Sequence, residues 1–222
     1  MNVVDFIQKN RFEAFLLSFC LLLFGSLFFP HGLFENLLEP AFLILNISTG
    51  FAIIYALKKW RRFYTVLFIS TLVFELVDCF FGFKDHTYLQ LILFALLAIY
   101  YLVVTLSIIR EVWHTQEVTR NVIFGVMGGF TALGLISFFI FLGIEMAEPG
   151  SFSGLDTSNP TTESQSLLYM AYITLMSIGY GDIIPNTQIA QKATVLVGLL
   201  GQFYLVIITG VVVGKYINQQ NK

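Results

Sequence analysis

A nine-residue stretch, "TLMSIGYGD" from Thr174 to Asp182, combines hydroxyls, glycines, a tyrosine and a carboxylate between two long apolar segments. Gly179 and Gly181 can adopt backbone conformations that most residues resist, so they can aim successive carbonyl oxygens to one side. Closely spaced carbonyl oxygens can replace the hydration shell of a bare cation at membrane depth. Ser177 adds a hydroxyl oxygen at the inner end. The spacing therefore predicts a path for a cation.

The composition places this stretch in a membrane protein. Of the 222 residues, 57% are apolar and 12% are charged, about half the charged fraction of soluble domains. The net charge of −2 and the lack of a basic tract give no indication of nucleic-acid binding. No Ser-His-Asp, metal-ligand or phosphate-loop pattern occurs, so we expect no enzymatic activity, no cofactor and no small-molecule substrate.

Apolar blocks long enough to cross a bilayer recur along the chain. They predict six transmembrane helices at 12–29, 40–57, 63–83, 88–109, 122–145 and 189–217. Polar or turn-forming segments separate them, including "KKWRR", "GFKDHT" and the linker "REVWHTQEVTRN". We expect two regions: a four-helix region with its linker at 1–121, and a second region at 122–222.

The distribution of cations predicts the orientation, because cytoplasmic loops carry an excess of lysine and arginine. If the N-terminus is cytoplasmic, the outer side holds only Lys84 and Lys192. The inner side then holds Lys9, Arg11, Lys58, Lys59, Arg61, Arg62, Arg110, Arg120, Lys215 and Lys222. Both termini are therefore predicted to be cytoplasmic, which six crossings satisfy.

A shorter apolar helix is predicted at 164–176, with Thr162 and Gln165 in capping-box spacing at its start. Thirteen residues span about 20 Å, which is too short to cross a bilayer. A helix that enters from outside and cannot cross must turn back. Its partly negative C-terminal end would point toward the membrane centre, where it favours a cation. The non-helical residues 177–182 follow.

The stretch from Thr174 to Asp182 resembles the potassium-channel signature T-x-x-T-x-G-Y-G-D, with Ser177 for the second threonine and Ile178 for the usual valine. The resemblance covers about 122–217. It implies an all-α membrane protein with six transmembrane helices, a re-entrant pore helix and a selectivity filter. It also implies that K⁺ is coordinated by the carbonyls of Ser177, Ile178, Gly179 and Tyr180. Because one filter segment supplies one side of a pore, the family assembles such chains as homotetramers.

The same resemblance suggests roles for residues around the filter. The gating-hinge glycine of the family falls on Gly201, for which packing is the alternative role. Leu205, Thr209 and Val213 would line the cavity below the filter. The acidic end of the outer helix resembles "MAEPGS", so Glu148 would brace the filter loop from behind.

The first four predicted helices lack an array of cations. A voltage sensor needs several charges in its fourth helix, each contributing about 2.3 kcal/mol per 100 mV. The segment "TYLQLILFALLAIYYLVVTLSIIR" holds only Arg110, at its inner end. We therefore expect weak voltage dependence at most.

Two acids in the third helix, Glu75 and Asp78, stand three residues apart and share a helix face. Either they form hydrogen bonds with neighbours, or they form a protonation- or ligand-sensitive site coupled to the pore. Among the cations of "KKWRR", Lys58, Lys59, Arg61 and Arg62 either bind anionic lipid headgroups or only fix the topology.

These observations favour a potassium-selective channel of the cell (plasma) membrane that mediates passive transport. Two alternatives stay open: a non-selective cation channel of the same architecture, and a non-conducting modulatory subunit. Gating is expected to come from the first four helices, from lipid, from the filter itself or from another chain.

Overall fold

The computed structural model describes residues 10–55, 61–81 and 87–220. The longer helices are α1 Arg11–Phe24, α2 Glu39–Tyr55, α3 Arg61–Phe81, α4 Thr87–His114, α5 Arg120–Ala147, α6 Pro160–Leu175, α7 Gln188–Phe203 and α8 Thr209–Gln220. A π-helical turn, Tyr204–Ile208, joins α7 to α8, and we call this continuous unit the inner helix. Two short strands, β1 Phe152–Ser153 and β2 Ile184–Pro185, pair antiparallel.

Smaller helical turns lie between α1 and α2. A 3₁₀ turn, Gly25–Leu27, follows α1. The helical turn His31–Leu33 and the π-helical turn Phe34–Leu38 then lead directly into α2. The predicted first helix, at 12–29, therefore changes to a tighter turn after Phe24 rather than continuing.

Three of the described helices are long and apolar enough to cross a membrane: Tyr88–His114, Arg120–Ala147 and Gln188–Gln220. The helix Glu39–Tyr55 is also apolar but shorter. These helices support a membrane protein, whereas six crossings per chain stay a prediction. α4 continues past its predicted end at 109 to His114, because hydropathy marks the apolar part of a helix and not its last turn.

A polar cluster joins α1, α2 and α4 inside an apolar surrounding. The Asn46 side-chain amide donates to the Ser18 hydroxyl at 2.9 Å and accepts from the Tyr101 hydroxyl at 2.8 Å. Thr49 lies 2.9 Å from the same Ser18 hydroxyl oxygen. Asn46 is fully buried, so these bonds satisfy groups that would otherwise be costly to bury. They fix the mutual register of the three helices.

α5 packs against α1, α4, α6 and α7, and one continuous apolar core runs through both regions of the chain. Its glycines allow close approach. Gly128 faces the ring of Phe15 of α1, and Gly134 faces the ring of Tyr172 of α6. The Tyr172 hydroxyl donates to the Thr131 carbonyl at 2.8 Å, which fixes α6 against α5.

At the inner end, the last turns of the inner helix hold the segment after α4. The Lys215 ammonium donates to the carbonyls of Val112, Trp113 and Thr115 at 2.9, 2.7 and 2.7 Å. The backbone N–H of Val118 donates to the Gln219 side chain at 2.9 Å. A cation at the C-terminal end of a helix is favoured by the helix dipole, so Lys215 stabilises the end of α4.

Gly201 of α7 lies directly against the end of α6. A Cβ at this position would overlap the carbonyl oxygen of Leu175. Gly201 is buried and lies inside the helical segment Gln188–Phe203. This contact supports the packing role for Gly201, and its role as a gating hinge stays a prediction.

We expect Gly201→Ala to lower the free energy of unfolding by about 1–3 kcal/mol, because the added methyl forces α7 away from α6. Gly198→Ala is the matched control, since no atom lies within 4 Å of a Cβ there. That change should be neutral or stabilising by up to about 1 kcal/mol, because alanine favours a helix. Thermal unfolding in detergent measures both. Equal stability of the two variants would contradict the packing role.

Candidate functional site

α6 begins earlier than predicted and has a different cap. Its first residue is Pro160, and the Asn159 side chain accepts from the Thr162 backbone N–H at 2.9 Å. The Thr162 hydroxyl completes a reciprocal capping box with Asn159. The predicted box of Thr162 and Gln165 is therefore wrong, because an Asn-Pro pair already provides the N-cap and first helical residue. The 16 residues of α6 span about 24 Å, still shorter than a bilayer core.

The C-terminal end of α6 closes in a Schellman motif. The backbone N–H of Ile178 donates to the Ile173 carbonyl at 2.8 Å, and that of Ser177 donates to the Thr174 carbonyl at 2.9 Å. The residue at the turn of this motif is usually a left-handed glycine. Here it is Ser177, with a φ of 57°. A left-handed conformation costs a non-glycine residue about 1–2 kcal/mol.

The left-handed conformation then recurs at every second residue of the filter segment, residues 177–182. Ser177 is followed by Gly179 with a φ of 55° and Gly181 with a φ of 81°. The intervening Ile178 and Tyr180 are not among the residues with positive φ. Such alternation turns successive peptide groups in the same direction, so that their polar atoms form a concave surface for an ion. The left-handed φ of Gly179 and Gly181 is the conformation that glycine permits, and the direction of the carbonyl oxygens stays a prediction.

The outer end of the filter segment is bonded to α6. The Tyr169 hydroxyl donates to the Asp182 carboxylate at 2.8 Å. This hydrogen bond lowers the pKa of Asp182 below its usual value. The turn at Gly154 packs against the Asp182 backbone carbonyl, where a side chain would not fit. Asp182 is therefore held by both its side chain and its backbone.

The loop between α5 and α6 is held by Glu145. Its carboxylate accepts from the backbone N–H of Gly150 at 2.5 Å and from that of Phe152 at 3.0 Å. The side chain of Glu145 is 7% exposed, whereas Glu148 is exposed. Glu145 and not Glu148 therefore holds this loop, whereas bracing of the filter loop by Glu148 stays a prediction. Only the backbone carbonyl of Glu148 takes part in the loop, accepting from Ser151.

The inner end of the filter segment has a partner that the sequence analysis did not identify. The side-chain amide of Gln202 donates to the Ser177 hydroxyl oxygen at 2.7 Å. The sequence feature that could have indicated this contact is the single amide, Gln202, in the apolar run "GLLGQFYLVII". Gln202 also directly follows Gly201, the residue that touches the end of α6.

The residues predicted to line a cavity, Leu205, Thr209 and Val213, are exposed in the single chain. Leu205 lies in the π-helical turn, so regular helical spacing does not extend from it to Thr209. Their lining role stays a prediction.

Glu75 is buried and lines a cavity of about 260 Å³ between the first four helices, α5 and α6. Leu97, Leu135 and Leu168 form part of its mainly apolar wall. The structure does not place Glu75 in the filter, so a sensing role stays a prediction. The side chain of Asp78, the second acid of the predicted sensing site, is not described by the structure.

Of the four cations predicted to contact lipid, Arg62 is exposed. Lys58, Lys59 and the side chain of Arg61 lie outside the described residues.

We expect Glu145→Gln to lower the free energy of unfolding by about 1.5–3 kcal/mol, because one charged acceptor oxygen becomes an NH₂ group facing a backbone N–H. Glu148→Gln is the control and should change it by less than about 0.5 kcal/mol. Thermal unfolding and hydrogen exchange at Gly150 and Phe152 measure the difference. A larger effect of the Glu148 variant would instead support the sequence-based assignment.

We expect Tyr169→Phe to raise the pKa of Asp182 toward the usual value of about 3.9, since the hydroxyl is the main cause of the shift. A lowered pKa contributes stability above the unfolded pKa and loses it as the pH falls through the folded pKa. Because the variant brings the folded and unfolded pKa values of Asp182 closer together, it should have less of this contribution at neutral pH, and its stability should fall less as the pH drops from about 6 to about 2. Carboxyl NMR titration between about pH 2 and pH 6 measures it.

Asp156 is the internal reference in the same titration. Its pKa is lowered by hydrogen bonds from Ser158 and should not respond to the Tyr169 variant. An unchanged midpoint for Asp182 would show that another group lowers its pKa.

Comparison with known proteins bears on the second region of the chain. Residues 130–218 match the family model described as ion channel, a range that contains α6, the filter segment and most of the inner helix. No curated protein and no solved structure matches the chain. The family match supports an ion channel, a membrane protein whose transport is passive and non-enzymatic.

Proposed function

We propose that this protein is a potassium-selective channel mediating passive K⁺ transport. The observation that carries the proposal is the filter segment, in which left-handed residues alternate from Ser177 to Gly181 directly after the closed end of α6. The C-terminal end of α6 carries a partial negative charge, which favours a cation beside it. The alternating backbone can form a concave site for an ion, and the negative end of α6 favours a cation there over an anion.

The ligands for K⁺ in this proposal are the carbonyls of Ser177, Ile178, Gly179 and Tyr180. Carbonyl dipoles coordinate K⁺ without the strong field of a carboxylate, so the ion can leave as well as enter. Thr174 closes the α6 turn through its carbonyl and belongs to the same signature. No further cofactor is needed.

The conducting unit is a homotetramer. Tyr180 is 72% exposed in the single chain, although it stands between two filter glycines. The inner helix also has a row of exposed apolar side chains on one face: Val195, Leu199, Phe203 and Val206. Neighbouring subunits around an axis would cover such a face and complete the ring of oxygens.

In the membrane, we place six crossings in each chain, both termini in the cytoplasm and the tetramer in the plasma membrane. The cluster of Lys58, Lys59, Arg61 and Arg62 then lies at the inner surface, where anionic headgroups attract cations. Glu75 and Asp78 are the candidates for a sensing site. Voltage dependence is weak, because Arg110 is the only cation of α4.

The test is ion flux into liposomes containing the purified protein. We expect K⁺ flux at least about tenfold above Na⁺ flux, and block by Ba²⁺, because a rigid ring of carbonyls discriminates between ions. Gly179→Ala should abolish flux, since a side chain is strained at its φ of 55°. Gly143→Ala in α5 is the control, because no atom lies near a Cβ there.

The outcomes separate the alternatives. Equal K⁺ and Na⁺ flux would identify a non-selective cation channel. An assembled protein that neither binds K⁺ nor conducts would identify a non-conducting subunit.

A further inference from the structure

Gln202 is an amide within an apolar helix, at the level of the inner end of the filter segment. Its side-chain N–H donates to the Ser177 hydroxyl oxygen at 2.7 Å. The run from Leu199 to Ile208 contains no other amide or charged side chain. An amide in such a setting is costly without a hydrogen-bond partner, and Ser177 provides one.

Ser177 has two properties that call for an external restraint. It adopts a left-handed conformation with a φ of 57°, which non-glycine residues rarely adopt. It is also a serine, whose side chain has a choice of rotamers, whereas the β-branched side chain of threonine is stiffer. A hydrogen bond to the hydroxyl oxygen selects one rotamer and opposes relaxation of the backbone.

The backbone that carries Gln202 is itself firmly positioned. The preceding residue, Gly201, packs directly against the Leu175 carbonyl at the end of α6. Two residues further on, the Tyr204 hydroxyl donates to the Val126 carbonyl of α5 at 2.8 Å. The Gln202 amide therefore approaches Ser177 from a part of the inner helix that is fixed on both sides.

We propose that Gln202 is a positioning residue that sets the cation affinity and selectivity of the innermost ion site, by fixing the Ser177 hydroxyl. This inference rests on the proposed function. The Gln202 N–H uses one lone pair of the hydroxyl oxygen, and a fixed rotamer leaves the second lone pair in one direction, where it can accept an ion. Four such pairs in a tetramer would form a ring of oriented hydroxyl oxygens below the carbonyls.

In this proposal Gln202 acts through its hydrogen bond and not through the volume of its side chain. A second substitution that fixes the Ser177 hydroxyl in another way should therefore restore what Gln202→Leu removes. Gln202→Leu keeps a similar volume but removes the donor. Ser177→Thr adds a methyl that limits the rotamers of the hydroxyl without any partner. If Gln202 acts on the rotamer, the second change compensates for the first.

The experiment measures K⁺ and Na⁺ binding to the purified protein by isothermal titration calorimetry, together with reversal potentials in mixed K⁺ and Na⁺. Gln202→Leu should weaken K⁺ binding about fivefold, the effect of losing about 1 kcal/mol of hydrogen bonding. The permeability ratio of K⁺ to Na⁺ should fall by a similar factor. Gln202→Leu with Ser177→Thr should return both to within about twofold of the wild type.

Two further variants complete the design. Gln188→Leu makes the same chemical change at an exposed position at the start of α7, and it should leave both measurements unchanged. Gln202→Asn keeps the amide but shortens the side chain, so it should weaken K⁺ binding in the same direction even if the leucine variant fails to assemble.

Unchanged K⁺ affinity and permeability ratio in an assembled Gln202→Leu or Gln202→Asn protein would overturn the inference and leave the channel proposal intact. If Ser177→Thr alone binds K⁺ like the wild type, its failure to restore binding in an assembled double variant would do the same, because it would then indicate a packing role. A wild-type protein that neither binds nor conducts K⁺ would overturn both proposals together.

Discussion

The contact between the Gly201 backbone and the Leu175 carbonyl oxygen is the constraint on which the arrangement of the site depends. It brings the inner helix against the end of α6 at the point where the chain leaves the helix for the filter segment. Only a residue without a side chain permits this approach, since any Cβ would overlap the oxygen. The position of Gln202 beside Ser177 follows directly, because it is the next residue along α7.

Near that contact, one side chain bonds each end of the filter segment, and backbone hydrogen bonds join its first two residues to the end of α6. Tyr169 bonds Asp182 at the outer end, and Gln202 bonds Ser177 at the inner end. These side chains come from α6 and α7, so the segment is attached to two different helices. A short non-helical backbone at membrane depth is tolerated only when protein surrounds it or it lines an aqueous path. Within one chain, these bonds supply part of that support.

Much of this site could be predicted from the sequence, because its chemistry lies in local spacing. Gly179 and Gly181 specify their own backbone conformations, and hydropathy locates the long helices to within a few residues. The sequence alone does not show which acid holds the loop after α5, since Glu145 and Glu148 stand three residues apart. The path of that loop decides it, because it brings the Gly150 N–H to Glu145. The contact of Gln202 with Ser177 joins residues 25 positions apart, and it depends on how closely two helices pack.

Lys215 has a consequence for when the end of α4 can form its native hydrogen bonds. Its ammonium has three N–H groups, and all three donate to carbonyls at or just beyond the end of α4. Those carbonyls precede Lys215 by 100 to 103 residues, so they are synthesised well before it. While the chain is still being made, the last turn of α4 must rely on water or headgroups for its hydrogen bonds. The inner end of α4 therefore reaches its native hydrogen bonds only after the inner helix has been synthesised, whereas the polar cluster of Ser18, Asn46 and Tyr101 needs no later segment.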